Sequence, residues 1–504
     1  MTWQKEIKEI KKRQKFALAQ GGKEAVQLQH KKGRLTARER IEKLVDDGSF
    51  REFGQISGGY ETDKPYAFIP ANYVIGLGKI NSRLTAIGAE DFTLKGGSPN
   101  SAGQRKSVYS EHLAYNYKIP LVRLLEGGGG SVNKPNQNHT KNMGNPVYNE
   151  HRFTVMAKLL NEVPVVSAAL GPVAGFPAGR LVSSHFSVMV KKKSQVMIGG
   201  PALVKRALGI EVSKEELGGF KVTAKSGVVD NFVESEQEAF EIIRKFLSYL
   251  PTNRKELPKR VKSSEPSNNF KKILGEIIPR DRHYTYDIFQ ILKAILDPES
   301  IFEIAPLYGQ GLVIGLAKLD GFTIGFTANN CQFNAGAMTA QCAVKMKKII
   351  KLCNTFNLPI VNFVDEPGFM IGPEAESLGT IKHGMEAVCA AATATAPWAS
   401  IRMRKSYGVA AAAHYGPNAY ILDWPSVESG ALPVEGGVAV AFQKKIAASL
   451  EPDKTRREIE NELLKAKSPF EASENFASHD IIDPRETRSK ICEWLEWQNH
   501  TFNC

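Results

Sequence analysis

The chain has 504 residues, long enough for two or three domains that each bury a core of their own. Its 42% hydrophobic and 24% charged content are ordinary for a globular enzyme, and no apolar run reaches the roughly 18 residues that a membrane-spanning helix needs. The formal net charge of +13 indicates either a generally basic surface or a polyanionic ligand. Nucleic acid is the weaker candidate, because no basic stretch alternates with aromatic residues that could stack on bases.

The cysteines and the N-terminus bear on the compartment. None of the six cysteines lies in a C-x-x-C pair, so they predict free thiols in a reducing compartment and no metal site. Residues 1–8 mix both charge signs and contain no apolar segment, so we expect neither a secretory signal nor a transit peptide. The expected location is the cytoplasm, and the mitochondrial matrix is the less favoured alternative.

The first part of the chain predicts helices followed by an α/β layer. Residues 1 to about 50 have a loose helical pattern, and Thr36 and Glu39 have the spacing of a capping box at a helix start. Residues 74–80 and 84–89 are short apolar runs typical of buried strands. Helix and strand patterns then alternate to about residue 250, as in an α/β layer fold.

A proline-rich segment separates this pattern from a second copy of it. Residues 251–284 place four prolines among Lys, Ser and Asn, which predicts a linker with one short helix at 270–278. The alternation of helix and strand patterns then begins again, so the halves are predicted to be divergent copies of one unit that contains a β-α-β crossover. The matching pairs are residues 74–89 and 313–326, 101–117 and 335–356, and 120–126 and 359–365.

Two glycine-containing turns lie at matching places in the halves. Each follows a predicted buried strand and precedes a helix, the first at Gly175-Phe176 and the second at Gly408-Val409-Ala410. Such a turn exposes backbone N–H groups at a helix start, where they can stabilise a developing oxyanion. Two of them indicate two oxyanions, and hence a reaction between two carbonyl compounds. The alternative is that both are tight turns that need small residues for packing.

Nine stretches, spread in order along the chain, carry a resemblance to a known family. They are residues 30–40, 91–98, 215–219, 226–228, 363–369, 381–384, 404–408, 424–425 and 481–488. With them the chain resembles the carboxyltransferase (β) subunits of biotin-dependent acyl-CoA carboxylases, such as propionyl-CoA and methylcrotonoyl-CoA carboxylase. The resemblance covers nearly the whole length.

The resemblance implies an α/β fold of two crotonase-like domains (ClpP/crotonase superfamily) in tandem. Residues 1–255 would bind the CoA thioester, residues 256–284 would be the linker, and residues 285–504 would receive carboxybiotin. In the family the active site lies between the N-domain of one subunit and the C-domain of another, which implies a homo-oligomer, a dimer or a hexamer. The chain has no biotin attachment motif and is too short to include a biotin carboxylase. The resemblance therefore implies a biotin carboxylase and a biotin carboxyl carrier on other chains, and no metal in this subunit.

The same resemblance assigns roles to backbone amides. Gly175 and Phe176 would donate to the thioester oxygen, and Val409 and Ala410 to the biotin carbonyl. Further residues would line the two pockets: Gly127, Gly128, Gly129, Gly130, Ala174, Ala411 and Ala412 on the CoA side, and Gly368, Tyr407 and Gly408 on the biotin side.

Charged residues near these turns have competing interpretations. Asp365 and Glu366 could act as a general base, but the favoured interpretation is a strand-end acid that caps the next turn. His383 is interpreted as an ordinary helix residue more readily than as a functional one. The basic clusters at 191–193 and 205–206 are candidates for the CoA phosphates, or for solvated helix faces.

This chain departs from the family at the predicted pockets. Phe176-Pro177 replaces a Gly-Ala pair, and Ala411 and Ala412 replace a Tyr and an Asp. Pro177 has no N–H to donate, and the Phe176 ring must lie in or near the acyl pocket. We therefore expect a longer, branched or unsaturated acyl group rather than acetyl or propionyl. Two alternatives stay open: a decarboxylase subunit running the reverse transfer, and a homologue that has lost catalysis and acts as a scaffold.

Overall fold

The computed structural model of the protein describes residues 2–61, 64–98, 100–130, 152–261, 264–465 and 470–502. They form two compact units, Met1–Glu256 and Leu257–Cys504. Among the described residues, no helix is both long and apolar enough to cross a bilayer.

The first unit is an eight-stranded mixed sheet with helices packed against it. Its strands are β1 (Arg51–Phe53), β2 (Gly58–Glu61), β3 (Lys64–Pro70), β4 (Tyr73–Ile80), β5 (Arg83–Glu90), β6 (Leu121–Gly127), β7 (Val165–Ala174), β8 (Phe186–Val190), β9 (Gln195–Met197) and β10 (Asn231–Val233). Its helices are α1 (Gln4–Ala19), α2 (Lys23–Lys31), α3 (Ala37–Leu44), α4 (Ser101–Tyr117), α5 (Arg152–Leu159), α6 (Phe176–Val182), α7 (Pro201–Leu208), α8 (Lys214–Gly218), α9 (Phe220–Ser226) and α10 (Glu236–Tyr249). A 3₁₀ turn covers Lys95–Gly97.

The strand order of this sheet is β1-β4-β5-β6-β7-β8-β10, with β9 beside the end of β7 and β2-β3 as a separate hairpin. The strands β1, β4 and β5 pair antiparallel, and those from β5 to β10 pair parallel. Every residue of β6 is buried, including the charged residues Arg123 and Glu126. Because carboxyl ends of parallel strands meet at one edge of a sheet, the turns after β6 and β7 lie side by side.

The second unit repeats this architecture. Its strands are β11 (Phe302–Ile304), β12 (Leu312–Leu319), β13 (Phe322–Asn329), β14 (Ile360–Glu366), β15 (Trp398–Tyr407), β16 (Tyr420–Asp423), β17 (Glu428–Gly430) and β18 (Asp480–Ile481). Its helices are α11 (Asn268–Ile273), α12 (Ile288–Ile295), α13 (Ala340–Phe356), α14 (Pro373–Ser377), α15 (Thr380–Ala392), α16 (Gly408–Ala411), α17 (Val434–Ala441), α18 (Gln443–Ala447), α19 (Pro452–Lys465), α20 (Glu471–Glu474) and α21 (Thr487–Phe502). Three 3₁₀ turns cover Asn334–Gly336, Ala412–His414 and Pro484–Glu486.

The two sheets correspond strand by strand. The second has the order β11-β12-β13-β14-β15-β16-β18, with β17 beside the end of β15, and the same sequence of antiparallel and parallel pairs. Even a β-bulge recurs, between Leu125 and Gly127 in the first unit and between Val364 and Glu366 in the second. This register makes Glu126 the counterpart of Asp365. The predicted tandem of two α/β domains is confirmed.

Each unit has its own hydrophobic core. In the first, one cluster lies between β5–β7 and the helices α4 and α5, and another lies beneath α6 around Leu181 and Met189. In the second, α12 and the C-terminal α21 cover the sheet, and Ile291 and Trp494 meet Phe326 in one large cluster. Burial of this apolar surface is the main favourable contribution to folding.

Most predicted elements are present, with two differences. The capping box is formed: Thr36 accepts from the Glu39 amide and Glu39 from the Thr36 amide. The helix predicted over 335–356 begins only at Ala340, because Ala335 and Gly336 have positive φ angles of 53° and 83°, which no α-helix accommodates. The helix predicted at 270–278 occupies Asn268–Ile273 instead. Residues expected to link the halves pack onto the second unit, where Leu274 is buried in the core.

Candidate active site

The first glycine turn joins the end of β7 to α6. Gly175 has a φ of 66°, a left-handed conformation that favours glycine, and Phe176 begins the helix. The N–H of Gly175 donates to the carbonyl of Met197 in β9, at 3.2 Å. Of the two amides predicted to bind a thioester oxygen, that of Gly175 is therefore already committed to the sheet.

The ring of Phe176 packs on its own unit. It meets the Phe153 ring of α5 edge to face, with centroids 5.5 Å apart, and the Arg180 guanidinium lies 4.8 Å from its centroid. Arg180 is itself buried and paired with Glu111 at 3.2 Å. Aromatic and cation–π contacts of this kind hold the ring in place.

The turn at residues 127–130 lies directly against the first glycine turn. A Cβ on Gly129 would come within 2.5 Å of the Phe176 nitrogen and 2.8 Å of the Gly175 Cα, so only glycine fits there. A Cβ on Gly127 would lie 2.8 Å from the Gly97 carbonyl oxygen. Gly128 is half-buried and Gly130 is exposed. The structure thus brings together the residues predicted from separate stretches, 127–130 and 174–176.

A buried cluster of charges lies beneath this pair of turns. The carboxylate of Glu126, at the end of β6, forms ion pairs with Arg34 at 2.6 Å and Arg40 at 2.5 Å, and accepts from the Gln29 amide at 2.7 Å. All three partners come from residues 29–40. The sequence predicted a capping box and a family resemblance for this stretch but no role at the site; its three arginines within seven positions, Arg34, Arg38 and Arg40, were the available signal.

A second acid, Glu90, adjoins the same turn. Its Oε2 accepts from the Glu126 amide at 2.9 Å and would lie 3.3 Å from a Cβ on Gly127. Burial raises the pKa of the Glu90 carboxyl to about 7. This group therefore titrates near neutral pH in the folded protein.

The second glycine turn joins β15 to α16. Gly408 has a φ of 64°, matching Gly175. Gly408 is exposed, Val409 is 56% exposed, and Ala410 and Ala411 are buried, whereas Ala412 is exposed and begins a 3₁₀ turn. The side chain of Tyr407 is buried, and its hydroxyl donates to Glu428 at 3.0 Å. Burial and the Glu428 carboxylate raise the pKa of Tyr407.

The two acids at the end of β14, Asp365 and Glu366, accept hydrogen bonds from neighbouring side chains and backbone amides. Asp365 accepts from Arg404 at 2.8 Å, from the Tyr286 hydroxyl at 2.9 Å and from the Lys405 amide at 3.0 Å. Burial, followed by the Asp365 charge, raises the pKa of Tyr286 well above its ordinary value. Glu366 accepts from the Gly368 and Met338 amides at 3.0 and 3.2 Å. The expectation that a strand-end acid caps the next turn is confirmed at Glu366.

The remaining candidate residues have different surroundings. Gly368 has a φ of 125°, and a Cβ there would meet nothing within 4 Å, so the space beside it is open. His383 lies on α15, half-exposed, 3.8 Å from Glu386. Lys191 pairs with Glu234, and Lys193 donates to the Gly33 carbonyl.

Within the part of the chain that the structure describes, no group of three or more His, Cys, Asp or Glu side chains could hold a metal ion. The five described cysteines are free thiols; Cys504 lies outside the described residues.

Comparison with known proteins identifies the family of the chain. The family model described as the carboxyl transferase domain matches residues 28–503. The chain is 32% identical to the propionyl-CoA carboxylase carboxyltransferase subunit of Haloferax mediterranei, covering 97% of this chain and 95% of that protein. It is 30% identical to the methylmalonyl-CoA decarboxylase α subunit of Veillonella parvula, covering 98% and 96%.

Among solved structures, a chain of the transcarboxylase 12S structure with methylmalonyl-coenzyme A bound superposes on this chain with a TM-score of 0.87, at 29% identity, covering 99% of this chain and 96% of that one. The fold is therefore that of tandem crotonase-like carboxyltransferase domains. The chain belongs to the carboxyl transferase domain family.

Proposed function

We propose that this chain is the carboxyltransferase subunit that moves a carboxyl group from carboxybiotin to the α or vinylogous carbon of an acyl-CoA. The observation that carries the proposal is the duplicated strand, glycine turn and helix at Gly175 and Gly408. Main-chain N–H groups at a helix start have no acceptor within the helix, and they do not titrate. They suit a reaction in which negative charge develops on two carbonyl oxygens, where the loss of one donor costs about 2.7–4 kcal/mol of barrier.

The two turns are proposed to serve different reactants. In the first unit, residues 127–130 and the start of α6 would hold the CoA thioester, with the Phe176 amide as a donor to its oxygen. The exposed cations Lys192 and Arg206 would meet the CoA phosphates. In the second unit, Val409 and Ala410 would donate to the biotin carbonyl.

The second turn fits a biotin ring that arrives from outside. Gly408 and Val409 are exposed, and the space beside Gly368 is open. Biotin would supply the transferable carboxyl group. The protein would supply orientation and hydrogen-bond donors, since Asp365 and Glu366 are occupied by structural partners. We propose that biotin is carried on a separate chain, together with a biotin carboxylase, and that the subunit works as a homo-oligomer in the cytoplasm.

The acyl group is proposed to be longer, branched or unsaturated. Phe176 stands where the family has a small residue, and its ring is fixed by Phe153 and Arg180. Alanine at 411 and 412 removes a phenol and a carboxylate from the other side of the predicted pocket. A hydrophobic pocket discriminates by about 1–3 kcal/mol per methylene, so the preference is measurable.

A reverse transfer, from acyl-CoA to biotin, is the second candidate, because the chain is 30% identical to the Veillonella decarboxylase subunit and 32% identical to the Haloferax carboxylase subunit. The partner chains distinguish the two: a biotin carboxylase supports carboxylation, and a membrane-embedded partner supports decarboxylation.

The test uses the full-length chain purified from its host with its biotinylated partner. Incorporation of radiolabelled bicarbonate is measured with acetyl-, propionyl-, methylcrotonoyl- and octanoyl-CoA. We expect the highest kcat/KM with one of the last two. If propionyl-CoA is best, the acyl assignment is wrong but carboxyl transfer stands. No transfer to any acyl-CoA in either direction contradicts the function and favours a scaffold.

A further inference from the structure

The buried carboxylate of Glu126 is enclosed by side chains from the N-terminal segment. Arg34, Arg40 and Gln29 all reach it within 2.5–2.7 Å, and it is fully buried. We call these four residues the Glu126 cluster. Removing one partner of such a pair leaves an uncompensated buried charge, which is strongly unfavourable. The position of the Glu126 carboxylate is therefore tightly constrained.

One guanidinium in this cluster connects three elements. Besides Glu126 at the end of β6, Arg40 binds Glu236 of α10 at 2.7 Å and donates to the Leu170 carbonyl of β7 at 3.0 Å. Space for this arrangement exists because position 171 is glycine: a Cβ there would lie 2.3 Å from the Glu126 Oε1. Arg40 thus joins the two strands whose ends carry the glycine turns of the first unit.

The turn at 127–130 connects the Glu126 carboxylate to the start of α6. Residue 127 follows Glu126 directly, and Gly129 touches the backbone of Gly175 and Phe176. A Cβ on Gly129 would lie 2.5 Å from the Phe176 nitrogen and 2.8 Å from the Gly175 Cα, so the two turns meet backbone to backbone. A shift of Glu126 would therefore move the turn at 127–130 relative to the start of α6, and a misplacement of about 1 Å in an active site costs about 100-fold in rate.

We infer that Arg34, Arg40 and Glu126 are positioning residues, which hold the turn at 127–130 against the start of α6 so that its amides face the reacting thioester. This inference rests on the proposed function. It gives α3 and the segment between α2 and α3 a part in positioning the site. The second unit places an arginine on the equivalent acid, Asp365, which supports a role for the ion pair at this strand end.

The test compares Arg40→Lys and Glu126→Gln with Arg488→Lys in the full-length chain with its biotinylated partner. Arg488 on α21 of the second unit is also a buried arginine, 7% exposed against 0% for Arg40, and it pairs with Asp297 at 2.7 Å. We expect kcat to fall 10- to 100-fold in the first two variants, with the KM for acyl-CoA changed less than about threefold. In Arg488→Lys we expect a lower Tm and an unchanged kcat.

Hydrogen exchange supplies a readout that needs no substrate. Amides of residues 127–130 and 176–182 should exchange faster in Arg40→Lys, whereas those of β12–β15 should not. If Arg40→Lys and Arg488→Lys lower kcat alike, or if exchange rises uniformly, the role is merely structural and the inference is wrong. Where Arg40→Lys does not fold, Arg34→Lys takes its place. If the wild-type chain has no transfer activity, the proposed function is wrong. The hydrogen-exchange experiment then still tests whether the Glu126 cluster holds the turn at 127–130 in place.

Discussion

Both units have an acid at the end of the corresponding strand, Glu126 on β6 and Asp365 on β14. The positively charged partners of these two acids come from different parts of each unit. In the first, Glu126 forms ion pairs with Arg40 of α3 and with Arg34 of the segment between α2 and α3. In the second, Asp365 is met by Arg404, which lies on the neighbouring strand β15, and by Tyr286. When β7 is aligned with β15, Gly171 of the first unit stands at the position of Arg404 in the second. The first unit therefore has no side chain at the place where the second unit has the arginine that binds its acid. What the copies share is an ion pair at this point, and not the residues that form it.

A smaller difference lies one strand away. Glu90 and Asn329 end β5 and β13, and each accepts the amide of the acid on the next strand, at 2.9 and 3.1 Å. The two side chains make the same hydrogen bond, but only Glu90 can ionise. The first unit therefore carries a pH-sensitive group where the second carries a neutral one.

The largest expected effect comes from Asp365→Asn. The change leaves the Arg404 guanidinium buried without its countercharge, so we expect unfolding of the second unit to become easier by about 3–5 kcal/mol. Denaturant unfolding, followed with a probe in each unit, measures this. Asp453→Asn, at an 81% exposed side chain, is the control and should change stability by less than about 0.5 kcal/mol. Equal stabilities for both variants would show that the second ion pair is dispensable.

Next come Gly175→Ala and Gly408→Ala, one in each turn. Both positions have positive φ, and the new Cβ would lie 3.0 Å from the Gly129 Cα or 3.3 Å from the Ala431 carbonyl oxygen. We expect kcat to fall about 100-fold in each, in line with the displacement of one oxyanion donor. Gly179→Ala is the matched control, because its Cβ meets nothing within 4 Å.

These glycine variants also test the division of labour. Gly175→Ala should raise the KM for acyl-CoA, and Gly408→Ala the KM for the biotinylated partner. The assignment of one reactant to each unit fails if both variants change the same KM.

The smallest effect concerns Glu90→Gln. The folded-state pKa of about 7 lies above the ordinary 4.5, so between about pH 5 and 7 the folded chain keeps a proton that the unfolded chain has released. The free energy of unfolding should therefore fall as pH rises through this window, by at most about 1.4 kcal/mol per pH unit. Glu90→Gln should flatten this dependence, as measured by denaturant unfolding at several pH values. The exposed Glu42→Gln should leave the slope intact; an unchanged slope in Glu90→Gln contradicts the assignment.

Local signals in the sequence predicted most of the elements. Periodicity predicted the strands at 74–80 and 84–89 and the helix over 101–117, and a spacing of three residues predicted the capping box at Thr36. These features could be predicted because they depend on residues close to one another in the sequence. The early start predicted for α13 was wrong because periodicity does not reveal a left-handed residue such as Ala335.

The sequence by itself determined that the chain has two related α/β halves, each with a glycine turn between a strand and a helix. Only the tertiary structure decided what surrounds those turns: that Gly175 donates to β9, that the Phe176 ring rests on Arg180, and that Arg40 reaches an acid 86 positions later in the chain. The reason is physical. Turn and strand formation depend on backbone geometry that each residue type carries with it, whereas the partner of a buried charge depends on which distant segments the sheet brings together.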